Sequence, residues 1–269
     1  MSINIAIINV GVNRKFFDKY HLLSPLFEDG SFEYVPVPEA AYPTCPGLPT
    51  YRELFSNKER VLQTIPEETR DLKVHYDPEF ESFTYGDNPH LKEGKGRANK
   101  LLGLKKFDIL LFFVRLTEVK NGKPTSKAAP FFIGYFEVDQ IEPSVTITSI
   151  SEDLLRTYGK NAHIIRGRYD STYFNGFWVC RGSSNSSYFK QAVPFDREIT
   201  ERIVMLDAKG NKFAWSQEPS YFRIQQGGRT RPCRFVDGGN AGKEALLRHV
   251  LKFNKIPLFQ HILSTLSIS

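Results

Sequence analysis

The chain has 269 residues, is 41% hydrophobic and 13% aromatic, and carries a formal net charge of +6. That length and apolar content support a substantial core and exclude a disordered chain; no apolar run approaches the roughly 18 residues of a membrane span. Cys45, Cys180 and Cys233 are scattered and form no Cys-x-x-Cys pair, which argues against a thiolate zinc site or a disulfide framework. The start at Met1 lacks the basic and long apolar regions of a signal peptide, so a reducing cytoplasm is the expected location.

Ile3 to Val10 is apolar and β-branched and predicts a buried first strand, ended by Gly11-Val12-Asn13. Phe32 to Val37 predicts a second short strand, and the prolines of residues 40–50 predict irregular chain. Thr50 to Gln63 predicts a helix with Thr50 as N-cap, and Gly96 to Leu104 another short one. Asp108 to Leu116 and Pro130 to Ile141 are the strongest strands, joined as a long-loop hairpin around Asn121-Gly122-Lys123-Pro124. Ser151 to Tyr158 predicts a helix capped by Ser151 and closed by Gly159. Ala162 to Arg166 and Phe177 to Arg181 predict strands, Ser186 to Ala192 a short helix, and Glu198 to Leu206 a further short element. Gly242 to Phe253 is an amphipathic helical pattern, and Pro257 sets off a last helical segment ending near Leu266.

No repeat, low-complexity tract or flexible linker interrupts the chain. The expectation is one domain over residues 1–269, with the helical segment 241–269 packed on it. The expected class is α+β, a mixed β-sheet flanked by helices; a largely parallel α/β three-layer sandwich is the alternative.

For chemistry, the run Val74 to Asp87 stands out. Its fourteen residues hold four carboxylates (Asp77, Glu79, Glu81, Asp87), two tyrosines, two phenylalanines and His75. Rings are costly to leave in water, and carboxylates resist burial unless paired or hydrogen-bonded. One reading is an ordered loop lining a cleft for a flat polar ligand such as a nucleobase. The other is a packed surface loop whose acids cap turns. His75 with Asp77, and Asp87 with His90, can be written as metal-ligand pairs, but Pro78 and Gly86 leave their geometry unconstrained, and no metal or other cofactor is expected.

Two basic clusters bear on partners. Lys95, Arg97, Lys100, Lys105 and Lys106 fall close together, as do Arg223, Arg229, Arg231 and Arg234 around Gly227-Gly228. Arg presents a planar fork that grips phosphate, so these are candidate DNA-backbone contacts beside the plainer reading of solvated charge. Asp237-Gly238-Gly239-Asn240-Ala241-Gly242-Lys243-Glu244 is phosphate-loop-like at a glance, yet Asp stands for the first Gly and Glu244 where Ser or Thr must hold magnesium. The small-residue stretch Arg181 to Tyr188 reads as a turn entering a helix, its hydroxyls capping it.

Several separated motifs carry a family resemblance. They are Asn9-Val10-Gly11-Val12-Asn13, the acid-rich stretch Ser24 to Glu39, His75-Tyr76-Asp77-Pro78, and Thr84-Tyr85-Gly86-Asp87. Phe107 to Phe113, Phe132 to Val138, and Gly182 to Pro194 follow. In this order, over about residues 5 to 195, the chain resembles the nucleotide modification associated domain proteins, especially the third type. The resemblance implies a protein that recognises or processes hypermodified bases in phage DNA as anti-phage defence. It further suggests a link to DNA glycosylases that excise glucosylated hydroxymethylcytosine and leave an abasic site.

Base excision builds positive charge on the deoxyribose, which a carboxylate stabilises or to which it directs water. Asp77 is the first candidate, with Asp29 and Glu33 as rivals because the resemblance sets them in an acid-dense motif. Phe32, Tyr76 and Tyr85 are candidate walls for a flipped base, and His75 or Asn13 would read its polar edge. A non-catalytic reader of modified bases, and an enzyme acting on modified nucleotides, remain the other classes. The partner is DNA, with no membrane and no obligate protein partner expected.

Overall fold

The computed structural model describes residues 3–11, 18–87, 101–203, 214–215, 224–225, 233–236 and 239–266. Its strands are β1 Ile5–Asn9, β2 Ser24–Phe27, β3 Val37–Pro38, β4 Val74–His75, β5 Thr84–Asp87, β6 Ile109–Lys120, β7 Lys123–Thr146, β8 Asn175–Gly182, β9 Ser187–Pro194, β10 Ala214–Trp215, β11 Ile224–Gln225 and β12 Cys233–Phe235. Its helices are α1 Tyr51–Leu54, α2 Glu59–Gln63, α3 Glu152–Tyr158, α4 Ala162–Tyr169, α5 Arg197–Ile203, α6 Gly239–Leu251 and α7 Pro257–Leu266.

The main sheet runs β12-β1-β6-β7-β8-β5. Both β1 and β2 pair with β6 in parallel, β1 along Ile109 to Phe113 and β2 along Leu116 to Val119, so they lie end to end on one edge of that strand. The remaining pairings of the sheet are antiparallel, including β9 on β7. The fold is therefore α+β with a mixed sheet. The largely parallel sandwich is set aside, because the long β6–β7 hairpin and its antiparallel partners dominate.

That hairpin is tighter than its sequence suggests. Asn121 and Gly122 form a two-residue turn with φ of 48° and 72°, both left-handed, and the strands run to its edges. Such a turn matches the twist of the flanking strands, and Asn-Gly is the pair that tolerates it. Four other expectations are corrected. The second strand is Ser24–Phe27, and Phe32 makes only an isolated bridge to Leu26. Ala162 to Arg166 lies in helix α4, whose N-cap is Asn161, and Ser186 to Ala192 belongs largely to strand β9 rather than to a helix. The predicted helix Thr50 to Gln63 divides into α1 and α2, with Thr50 and Glu53 forming a capping box at its start. Residues 96–100 lie outside the described residues.

Four hydrophobic clusters build the interior of the described residues, the smallest of them Cys45, Leu48 and Ala162. The largest joins β1, β6 and β7 to Leu246, Leu247 and Val250 of α6 and Phe259 of α7. Each such side chain, fully buried, is worth about 1.5–3 kcal/mol against exposure. A second cluster sits under α1 and α2 around Val35, Tyr51, Phe55 and Val74; a third holds α3 and α4 against β8 through Tyr158, Ile164 and Phe177. No helix among the described residues is long and apolar enough to cross a membrane.

Candidate functional site

The segment after β4 turns inward. β4 pairs with β3 in the register Val37↔His75 and Pro38↔Val74, and Glu39 N continues the pairing by donating to the Lys73 carbonyl at 2.7 Å. The Asp77–Pro78 peptide is cis. Glu79 closes the next turn by accepting from Ser82 N at 3.0 Å and from the amide of Glu81, and Phe80 enters the core against Phe112 and Phe136. Glu81 is exposed and pairs with Lys160 at 2.7 Å. Glu79 thus caps a turn, as the second reading has it, whereas Asp77 points inward.

Asp77 is held from two sides. Its Oδ1 accepts from Gly86 N at 3.0 Å and from Asn161 Nδ2 at 3.1 Å. Its Oδ2 faces two imidazoles, with His163 Nε2 at 3.4 Å and His75 Nε2 at 4.0 Å. The two rings meet edge to face, centroids 4.9 Å apart. Burial pushes the Asp77 carboxyl above the ordinary carboxylate range, and the hydrogen bond and charge of His163 pull it back only in part.

Each imidazole is braced from behind. His163 Nδ1 lies 2.8 Å from Tyr173 Oη, which also accepts from Arg166 Nη1 at 2.9 Å. His75 Nδ1 stands 3.6 Å from Glu39 Oε2. The Glu39 side chain is fully buried; its Oε2 takes Arg166 Nε and Nη2, and its Oε1 accepts from Ala41 N at 2.8 Å and Tyr42 N at 3.1 Å. Tyr34 Oη donates to the Asp77 carbonyl at 2.7 Å. Among the described residues, His75, Asp77 and His163 are the group whose donor atoms converge closely enough to share an ion, all within 4.8 Å of one another.

A cavity of about 820 Å³ opens next to this cluster. Tyr76, which follows His75, and Ala162, which precedes His163, both line it, together with Leu48, Lys160 and Arg168. The triad itself stands behind that wall rather than in it. The volume is within the range of small-molecule sites.

The remaining sequence candidates divide. Asp29 is exposed and held by Arg60 at 2.7 Å and by Ser31, which draw its carboxyl down; it belongs to a surface turn, not to the cluster. Glu33 is buried, with Lys58 Nζ at 2.6 Å and Tyr188 Oη at 3.5 Å, and burial raises its carboxyl. Phe32 and Tyr85 are core residues, Phe32 tilted on Tyr188 and Tyr85 packed against Phe112 and Trp178 with 2% of its surface exposed. Their burial corrects the expectation that they wall a ligand; Tyr76 alone of the proposed rings borders the cavity. Asn13, Arg97, Lys100, Arg223, Arg229 and Arg231 lie outside the described residues. Arg234 sits in β12 opposite Ile7. Residues 182–188 form a hairpin turn in which Ser183 and Asn185 serve Glu137, so no helix is capped there.

Sequence reasoning missed Asn161, His163, Arg166 and Glu39. The first three were hidden by reading their segment as a strand; a polar Asn before a helical Ala-His-Ile-Ile-Arg run was the available N-cap signal.

The family described as nucleotide modification associated domain 3 matches residues 4–226, and the chain belongs to it. No curated protein and no solved structure matches the chain. Family membership ties the protein to modified nucleotides or nucleic acid.

Proposed function

We propose that this member of the nucleotide modification associated domain 3 family is a DNA glycosylase that excises a hypermodified cytosine, such as the glucosylated hydroxymethyl form, from phage DNA. The observation that carries the reading is the Asp77 carboxylate. The Gly86 amide reaches both oxygens, at 3.0 and 3.2 Å; Asn161 holds Oδ1, and Oδ2 faces two imidazoles beside a cavity of base-plus-sugar size.

In this reaction the C1′–N bond breaks and its electron pair leaves with the base. The water oxygen bonds to C1′; one water proton passes to Asp77 and, by exchange through solvent, a proton from Asp77 ends on the departing base nitrogen, which returns Asp77 to its carboxylate. Burial raises the Asp77 carboxyl above the ordinary carboxylate range, which favours its accepting a proton. Tyr76 supplies a stacking face, and the cost of unstacking a base, a few kcal/mol, is met by such contacts. On this reading Arg168 at the cavity would contact phosphate, with Lys160 beside it paired to Glu81.

The test is incubation of the purified protein with phage DNA carrying glucosylated hydroxymethylcytosine and with unmodified DNA, followed by assay for free base and alkali-labile sites. Release confined to modified DNA, abolished in Asp77→Asn with binding retained, supports the reading. Tight binding of modified DNA without release, unchanged in Asp77→Asn, makes the protein a reader instead. Salt-insensitive activity on free nucleotides moves it to a nucleotide enzyme.

A further inference from the structure

We infer that His75, Asp77 and His163 form a binding site for one divalent transition-metal ion of borderline character, such as zinc, manganese or iron(II). The inference goes beyond the glycosidic reading and does not lean on it.

Its basis is the direction of three donor atoms. Both imidazoles turn Nε2 toward the same carboxylate oxygen, at 3.4 and 4.0 Å. Ligands bound to one such ion at about 2.0–2.2 Å stand roughly 3–3.5 Å apart. The His163–Asp77 spacing of 3.4 Å already meets that value. His75 must close in by about half an ångström on Asp77 and, since the three donors lie within 4.8 Å of one another, by up to about an ångström on His163. Two histidines and one carboxylate supply three of the ligands such an ion takes.

His163 has the support a metal ligand takes, and behind His75 an acid stands just beyond hydrogen-bond range. Ligating histidines give their other N–H to a carboxylate or oxygen acceptor, which fixes tautomer and ring orientation. Here the rear nitrogens face Glu39 Oε2 at 3.6 Å and Tyr173 Oη at 2.8 Å. Arg166 supports both acceptors. Asp77 in turn is oriented through Oδ1 by Asn161 and Gly86.

The competing arrangement is a purely structural hydrogen-bond chain, Tyr173 to His163 to Asp77. The two differ in tautomer. The chain needs Nε2–H on His163 pointing at Asp77. A bound ion needs Nδ1–H donated to Tyr173 and the Nε2 lone pair free.

The experiment uses the untagged full chain, dialysed against chelator, then titrated with cobalt(II) and zinc(II) chloride by calorimetry and visible absorption. The expected result is one equivalent of cobalt with a d–d band displaced by zinc. Binding is lost in His163→Ala and in Asp77→Ala and unaltered in the exposed control Glu81→Gln. Tyr173→Phe keeps the ligands but removes the acceptor behind His163; affinity should fall about 10–100-fold. Should the ligand variants fail to fold, ¹⁵N spectra of the intact protein decide: zinc must move the His163 Nε2 resonance to a metal-bound position. Absence of stoichiometric binding, or binding retained in Tyr173→Phe with no shift at His163, overturns the inference. These readouts involve no DNA, so the metal site and the glycosylase reading fail separately.

Discussion

A methyl group added at Gly86 would stand 2.6 Å from Cδ2 of His163. Gly86 therefore does two things for the site: its N–H holds Asp77, and its missing side chain leaves room for the imidazole that Asp77 faces. Asn161 Oδ1 would lie only 3.2 Å from the added carbon, so the ring has little space in which to retreat.

Gly86→Ala should consequently displace His163 by several tenths of an ångström. Misplacement of about an ångström near a reacting centre costs on the order of 100-fold in rate, and overpacking costs about 1–3 kcal/mol of stability. Gly134→Ala is the control. Its added carbon would meet Phe80 Cε1 at 2.6 Å and the Ser187 carbonyl at 2.7 Å, in the sheet rather than at the triad. Paired unfolding and base-release assays should find both variants destabilised, but the larger loss of turnover per folded molecule in Gly86→Ala. Equal losses would remove the special role of that glycine.

Arg166 is the charge that permits Glu39 to be buried. The carboxylate has no exposed surface, and Arg166 reaches it through two nitrogens while also serving Tyr173. Removing one partner of a buried pair typically costs about 3–5 kcal/mol, because the other charge is left unpaired. Arg166→Met should therefore destabilise by roughly 3 kcal/mol in urea unfolding. Adding Glu39→Gln should recover a large part of that loss, since Gln can still accept from Ala41 and Tyr42. A double variant no more stable than the single one would show that the guanidinium acts through packing.

How far the sequence foretold this site depends on range. The β6–β7 hairpin was legible because apolar runs flank Asn121-Gly122, a purely local signal. Thr50 and Ser151 were legible as caps for the same reason. Asp77 was legible as an unusual acid among rings. His163 was not, because its relation to Asp77 exists only once α4 packs across β5, and its segment carries β-branched residues that mimic a strand. Phe32 and Tyr85 misled for the converse reason: an aromatic ring in an acid-rich motif looks the same in sequence whether it walls a pocket or fills the core.

Arg168 lines the cavity from the exposed side of α4. If it holds a phosphate of the target strand, Arg168→Ala should weaken DNA binding at low salt and lessen the slope of log affinity against log salt by about 1. Fold stability should change by less than about 0.5 kcal/mol, as at other exposed positions. Fluorescence anisotropy across a salt series measures both effects. An unchanged slope would place the strand on another face.

Glu33 supplies a pH test that does not involve the triad. Its side chain is 14% exposed and lies against Lys58 and Tyr188. Burial raises the carboxyl above its ordinary value of 4.5, despite the opposing pull of Lys58. A carboxyl that binds its proton more tightly when folded stabilises the fold fully below about pH 4.5, and that contribution is lost as pH rises through the raised value. Glu33→Gln cannot titrate, so its stability relative to the parent should improve as pH rises above about 4.5 and level off once the raised value is passed. Thermal unfolding across that range reads the difference directly. A Glu33→Gln chain that instead loses ground as pH rises would mean that the Lys58 pair outweighs burial, and that Glu33 is held ionised in the fold.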